Sequence, residues 1–179
     1  MKKSELKKEL EIPEGAEASI HGNEIAIKKN NVEIKKRFTK VFLIKEGNKI
    51  IIKTNKATKR EKRQINSIVS HLKNMFAGLD KKFVYRLQIC AVHFPMTATI
   101  KGKEISIKNF LGETKERKAR IMPDAEVKIE GDIISVESFD KDAAGQTAAN
   151  IEKATRLSGR DRRVFQDGIF MIEKAGRKI

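Results

Sequence analysis

One stretch of this chain occurs twice, eighty residues apart. Ala18-Ser19-Ile20-His21-Gly22-Asn23-Glu24-Ile25-Ala26-Ile27-Lys28 is matched in register by Ala98-Thr99-Ile100-Lys101-Gly102-Lys103-Glu104-Ile105-Ser106-Ile107-Lys108. An internal repeat constrains the fold strongly, because each copy must be accommodated as a structural unit. Two copies are too few for a solenoid, which needs at least about three stacked units. They suit two sister domains. In each copy the isoleucines fall on the apolar phase of short strands. The glycine between the runs, Gly22 or Gly102, supplies the positive φ of a tight turn. Each copy is therefore a β-hairpin with one buried face.

The surrounding order repeats as well. After the first hairpin come short strands at 32–37, 40–45 and 49–53, the last two joined by a Gly47-Asn48 turn. Three consecutive isoleucines at 50–52 point to a strand covered on both faces. Thr58-Lys59-Arg60-Glu61 has the spacing of a capping box. Ile65, Ile68, Val69, Leu72, Met75, Phe76 and Leu79 then follow a helical period, with Gly78 near the helix end. A strand at 82–92 closes the first domain in this reading. The second begins near Phe94-Pro95-Met96, with a hairpin, a strand around 114–121 and a hairpin over 127–134. Its helix is capped by Asp140 or Asp142 and has a small-residue face of Ala143, Ala144, Ala148, Ala149 and Ile151. Gln64 and Gln146 hold like positions in the two helices. A polar loop over 157–163, a last strand at 168–172 and a tail from 174 complete the chain. Residues 2–9 read as a frayed helix or a disordered arm. The expected class is α+β, with two tandem duplicated domains, 1–92 and 93–179. Each is an antiparallel sheet packed against one main helix.

Charge narrows the function. Of 179 residues, 39 are Lys or Arg and 24 are Asp or Glu, a net charge of +15. Such a balance calls for a polyanionic partner, nucleic acid or an anionic membrane. No apolar run approaches the ~18 residues of a membrane span, and no apolar region follows the basic start as in a signal peptide. Nucleic acid leads. The single cysteine, Cys90, permits no internal disulfide, fits a cytoplasmic setting and reads as a small buried thiol.

No catalytic constellation emerges. His21, His71 and His93 are scattered, and no Cys/His spacing resembles a zinc site. There is no phosphate-binding glycine loop and no nucleophile elbow. Asp124, Glu126, Glu130 and Asp132 alternate along a hairpin and read as a solvated face. No enzyme, cofactor, metal or small-molecule substrate is expected.

The basic groups are more informative. Lys56, Lys59, Arg60, Lys62 and Arg63 gather where the first helix starts. Helix amides and bases together suit a phosphate there, and a solvated charge run is the alternative. Lys115, Arg117, Lys118 and Arg120 share one short strand and its approach. Arg160, Arg162 and Arg163 stand beside Phe165 in a glycine-flanked loop. That pattern suits phosphate contact with base stacking, or Phe165 anchors the tail to its own domain. Residues 1–92 hold 22 bases against 10 acids, and 93–179 hold 17 against 14. Counting alone therefore favours the N-terminal half.

Four segments resemble large-subunit ribosomal protein six in its archaeal form. They are His93-Phe94-Pro95-Met96, Asn109-Phe110-Leu111-Gly112-Glu113, Gly145-Gln146-Thr147-Ala148-Ala149-Asn150-Ile151, and Arg160-Asp161-Arg162-Arg163-Val164-Phe165-Gln166-Asp167-Gly168-Ile169. The resemblance runs in order over essentially the whole chain. It implies a non-enzymatic protein of the cytoplasmic ribosome, with neighbouring ribosomal proteins as partners. It also implies binding of large-subunit ribosomal RNA near the sarcin–ricin loop and the base of the acidic stalk. In the family the C-terminal domain makes the main RNA contacts. Carried over, these fall to Lys101, Lys103, Lys108, Lys115, Arg117, Lys118, Arg120, Arg156, Arg160, Arg162, Arg163 and Phe165. Lys59, Arg60 and Arg63 join them on charge. The chain departs from the family's usual Gly-Pro-type turn after the first hairpin, having Lys29-Asn30-Asn31 instead.

Overall fold

A strand stands where the sequence read as a frayed helix or loose arm. β1 (Leu6–Glu11) runs antiparallel to β6 (Lys49–Thr54), Leu6 opposite Thr54 and Glu11 opposite Lys49. The alternating charges that suggested a helix instead serve a strand's two-residue period. Leu6, Lys8 and Leu10 share one face, and Lys8 Nζ donates to Asn66 Oδ1 of the helix at 2.7 Å. Lys7 and Glu9 pair on the other face at 2.7 Å. The computed structural model describes residues 6–30, 32–39, 41–54, 57–161 and 163–179, so residues 1–5 of the expected arm lie outside it.

The chain divides into two units, Met1–Lys81 and Lys82–Ile179. In the first, β2 (Glu17–His21), β3 (Glu24–Lys29) and β4 (Val32–Arg37) form one antiparallel sheet, with β3 central. β5 (Phe42–Glu46) and β1 flank β6 in another. Helix α1 (Lys59–Asp80) packs Ile65, Ile68, Leu72, Met75, Phe76 and Leu79 inward. Each such side chain contributes about 1.5–3 kcal/mol when fully buried. Thr58 accepts from the Glu61 amide at its start. The helix runs two residues past Gly78, which is buried in its last turn, and ends where the Lys81 amide reaches the Ala77 carbonyl. The turn that departs from the family pattern is made by Asn30 at φ 53°, a conformation asparagine tolerates; Asn31 lies outside the described residues.

The second unit repeats the plan. β7 (Phe83–Cys90) opens it, followed by β8 (Thr97–Lys101), β9 (Glu104–Lys108), a single 3₁₀ turn (Phe110–Gly112) and β10 (Arg117–Arg120). β11 (Glu126–Glu130), β12 (Ile133–Ser138), α2 (Lys141–Ala154), β13 (Gly168–Lys174) and β14 (Arg177–Lys178) follow. β8, β9 and β10 make one sheet, and the other has the order β11-β12-β7-β13-β14. The expected single sheet per domain is thus two sheets in each unit. The expected tail folds back as β14. Asp140 Oδ1 caps α2 by accepting from the Asp142 amide at 3.0 Å.

The two hairpins of the repeat match closely. Ala18 pairs with Ile27 and Ile20 with Ile25; Ala98 pairs with Ile107 and Ile100 with Ile105. Gly22 and Gly102 occupy equivalent turns at φ 62° and 60°. Two further pairs of backbone bonds extend the equivalence. Ile12 N donates to Asn48 O, and Ile89 N to Asp132 O; Phe38 N donates to Asn23 O, and Ile121 N to Lys103 O. β7 is therefore the counterpart of β1, not a closing strand of the first domain. Its register partners are β12 on one side and β13 on the other. Sequence similarity could not reveal this, because β1 and β7 share a ladder position and no motif.

The segment 145–151 shows how α2 is seated. Ala144, Ala148 and Ile151 are fully buried, and the Cβ position of Gly145 lies 3.2 Å from the Tyr85 hydroxyl. Thr147 Oγ1 donates to the Ala143 carbonyl and accepts from the Met122 amide at 3.0 Å. Asn150 Nδ2 donates to the Arg120 carbonyl, also at 3.0 Å. Thr147→Val keeps the shape and leaves the Met122 amide without its acceptor. It is expected to lower unfolding free energy by about 0.5–1.5 kcal/mol in urea titrations, the net worth of one part-buried hydrogen bond. An unchanged midpoint would mean that the bond does not hold the helix.

Candidate nucleic-acid interface

The strand period sorts the predicted cations. On the β10-β9-β8 sheet, Lys118 lies opposite Ser106, Arg120 opposite Glu104, and Lys101 opposite Glu104. Paired residues of an antiparallel ladder share a face. Lys101, Lys108, Lys118 and Arg120 therefore stand together on one face, with Lys103 in the adjoining turn. Ala98, Ile105, Ile107 and Ala119 occupy the opposite, buried face.

Arg117 is one residue out of phase with Lys118, and that removes it from the exposed cationic set. Its guanidinium bonds Glu113 twice, at 2.8 and 2.6 Å, and donates to the Ala154 carbonyl at 2.9 Å. It also lies 4.2 Å from the centroid of the buried Phe110 ring. Arg117 holds Glu113 well below the usual carboxylate range, against a smaller effect of burial. This arginine clips the approach to β10 onto the end of α2.

Glu116, which the sequence reading passed over, gathers the exposed face. Its carboxylate accepts from Lys101 at 2.9 Å, from the Ser106 hydroxyl and from Lys108 at 3.1 Å. These three donors, Lys101 first, lower its pKa to about 2. Lys118 pairs with Glu104 at 3.4 Å. Lys103, Lys115, Arg120 and Arg156 are exposed and form no ion pair among the described residues. Lys103 and Arg120 line a shared groove of about 340 Å³.

The loop after α2 is built around two aspartates. The Asp161 carbonyl accepts from the amides of Val164 and Phe165, and its carboxylate takes the Arg163 amide and guanidinium. Phe165 lies 5.1 Å from the His93 ring, with the Arg160 guanidinium 4.7 Å from its own centroid. This is the anchoring alternative for Phe165. Arg162 lies outside the described residues. Asp167 is 3% exposed and accepts from the Val92 and His93 amides and from His93 Nδ1. It ties the two family-like segments together. The local sequence around Asp167 carries no signal for this role, since its partners lie some 75 positions upstream.

Neighbouring motif residues support the same loops. The Asn109 side-chain amide donates to the Pro95 carbonyl at 2.9 Å, and a Cβ on Gly112 would meet the Phe94 ring at 3.4 Å.

Lys59, Arg60 and Arg63 are exposed on the first turns of α1, in the other unit; Lys56 lies outside the described residues. His71 is 6.1 Å from Phe38, ring to ring. Among the described residues no group of three or more His, Cys, Asp or Glu could hold a metal ion. No helix there is long and apolar enough to cross a membrane. The acidic hairpin is a solvated face, with Glu126 held in its ionised form by Lys82 at 2.8 Å.

Known proteins resemble the chain over nearly its whole length. The family described as Ribosomal protein L6 matches residues 94–168. A large ribosomal subunit protein uL6 of Sulfurisphaera tokodaii is 44% identical over 177 residues, 97% of this chain and 95% of that protein. The proteins of the same name from Methanobrevibacter smithii and Methanococcus vannielii are 39% and 37% identical, over 94% and 97% of this chain and 96% and 97% of their own lengths.

Asp167 yields a pH prediction. Burial alone would raise its pKa, but the bonds from His93 and Val92 win and hold it below the ordinary value. Its stabilisation is thus complete above the unfolded value of about 3.9 and is lost as pH falls through the lower folded value. Asp167→Ala is expected to lower stability at pH 7 by about 1–3 kcal/mol. The mutant should lose less than the parent between pH 5 and pH 2. Urea unfolding across that range measures both, and parallel acid limbs would contradict the assignment.

Proposed function

This chain belongs to the family of large ribosomal subunit protein uL6, and from that membership we propose that it is a structural component of the large subunit that binds its ribosomal RNA. The observation that carries the reading is the exposed face of the β10-β9-β8 sheet, with Lys103 and Arg120 unpaired along one groove, and with Arg156 a further unpaired cation just past the end of α2. The contacts fall near the sarcin–ricin loop and the base of the acidic stalk, as the family resemblance implies, with neighbouring ribosomal proteins at the edges. The protein works without catalysis. Lys and Arg neutralise phosphates and release counterions, which supplies affinity. The sheet fixes where the cations stand, and phosphate contacts set register and orientation on the RNA. Glu116 pairs with Lys101 and Lys108, which leaves Lys103 and Arg120 as the unpaired cations of this region. Lys59, Arg60 and Arg63 form a second contact surface on the N-terminal unit.

RNA affinity should fall steeply with salt. With about 6–10 phosphate contacts, raising salt from 50 to 200 mM is expected to weaken binding by about 10³–10⁵-fold. A flat dependence in filter-binding assays with large-subunit RNA would overturn the electrostatic mechanism.

Reversing Lys103, Arg120 and Arg156 to Glu should weaken binding more than reversing Lys59, Arg60 and Arg63. Both triples change charge equally, so the difference isolates local contact from long-range attraction. Equal losses at one salt concentration, in variants folded by circular dichroism, would reduce the site to net charge. A larger loss from the helix triple would move it to the N-terminal unit.

A further inference from the structure

We propose that the groove between the end of α2 and β13 receives an unstacked base of single-stranded RNA, with Phe170 as its stacking platform. This deepens the RNA-binding reading above and rests on it. The groove encloses about 770 Å³, within the range of pre-formed small-ligand sites, about 300–1,000 Å³. Its wall is mainly apolar, with Ile169, Leu157 and Val92 beside Phe165 and Phe170. The Phe165 ring already has His93 and Arg160 against it. Phe170 remains 43% exposed.

The Phe170 ring lies against its own strand. It folds back over Gly168, where a Cβ would stand 3.0 Å from its Cζ and 3.2 Å from its Cε2. Gly168 takes φ +157°, at the edge of the region that favours glycine. Phe170 is thus seated by a missing side chain beneath it rather than by cover above it. An aromatic ring that already stands open in the groove, with Gly168 making room for it, suits a stacking platform.

Charge selects the occupant. Lys153 and Arg156 line the groove with Glu152 and Asp167; the Asp167 carboxylate is taken up by the Val92 and His93 amides and by His93 Nδ1, whereas Lys153 and Arg156 form no ion pair among the described residues. A base stacked on Phe170 carries its phosphates to these two cations, while Glu152 on the same lip excludes a phosphate from its own position. An apolar peptide would fill the volume and leave both cations unmatched.

The test uses the full chain and two labelled probes at one salt concentration: single-stranded hexauridylate, and an abasic hexamer with the same phosphates. Fluorescence anisotropy should show hexauridylate binding about 5- to 100-fold more tightly, the range for stacking of one base on an aromatic ring. Phe170→Ala should bring the ratio close to one, and Phe170→Trp should restore it. Arg156→Gln should weaken both probes by a similar factor. Equal binding of the two probes by the parent protein overturns the base site and leaves the groove to an apolar segment of a protein neighbour, with the electrostatic RNA reading intact. A ratio that survives Phe170→Ala in a folded variant also overturns it. Failure to bind either probe or large-subunit RNA overturns both proposals.

Discussion

Both units depend on a middle strand whose three central residues are all buried. In β3 the residues Ile25, Ala26 and Ile27 are all buried, as are Ile105, Ser106 and Ile107 in β9. Alternate side chains turn to opposite sides: the isoleucines face the core, while Ala26 and Ser106 lie on the other face between exposed charged residues, Glu24 and Lys28 or Glu104 and Lys108. Isoleucine on one side needs an apolar wall, and the central residue needs something small. The two copies differ at that residue. Ala26 asks for nothing, but the Ser106 hydroxyl is buried and needs a partner. Glu116 provides it and draws Lys101 and Lys108 to the same carboxylate. One small-residue difference between sister hairpins thus accompanies a polar cluster in the second unit only.

The cationic surface is organised by the same two-residue period. Lys118 and Arg120 face outward because Ala119 faces in. Arg117 lies at the inward phase and becomes an internal clip, paired with Glu113 and the Ala154 carbonyl. Net charge does not distinguish these cases, because it counts an arginine locked in a bidentate pair equally with one free in solvent. Of the predicted C-terminal contacts, Lys103, Lys115, Arg120, Arg156 and Arg160 form no ion pair among the described residues, and Arg160 lies over the Phe165 ring.

The family-like segments are explained by packing of the loops as much as by contact with a ligand. Thr147 and Asn150 seat the helix on the segment leaving β10, and Asp167 fastens the loop after α2 to residues 92–93. Gly112 and Gly168 each leave room for an aromatic ring, Phe94 and Phe170. Such residues position a loop from within, and a loop positioned in this way can present nearby cations at fixed places.

Much of the architecture was legible in the chain itself. Hairpin turns at Gly22, Gly47, Gly102 and Gly131, the helical period from Ile65 to Leu79 and the in-register repeat depend on local sterics and periodicity. Those act between residues close in sequence, so they determined the duplicated α+β plan and the hairpins. Long-range pairing was decided by the tertiary structure. It made a strand of 6–11, because β6 offered a ladder edge that composition could not show. It assigned β7 to the second unit, where β12 and β13 satisfy its backbone bonds on both sides. It also separated Arg117 from its neighbours and brought Asp167 to His93. The reason is common to all four: a hydrogen-bond partner distant in sequence leaves no local trace in the residue that will meet it.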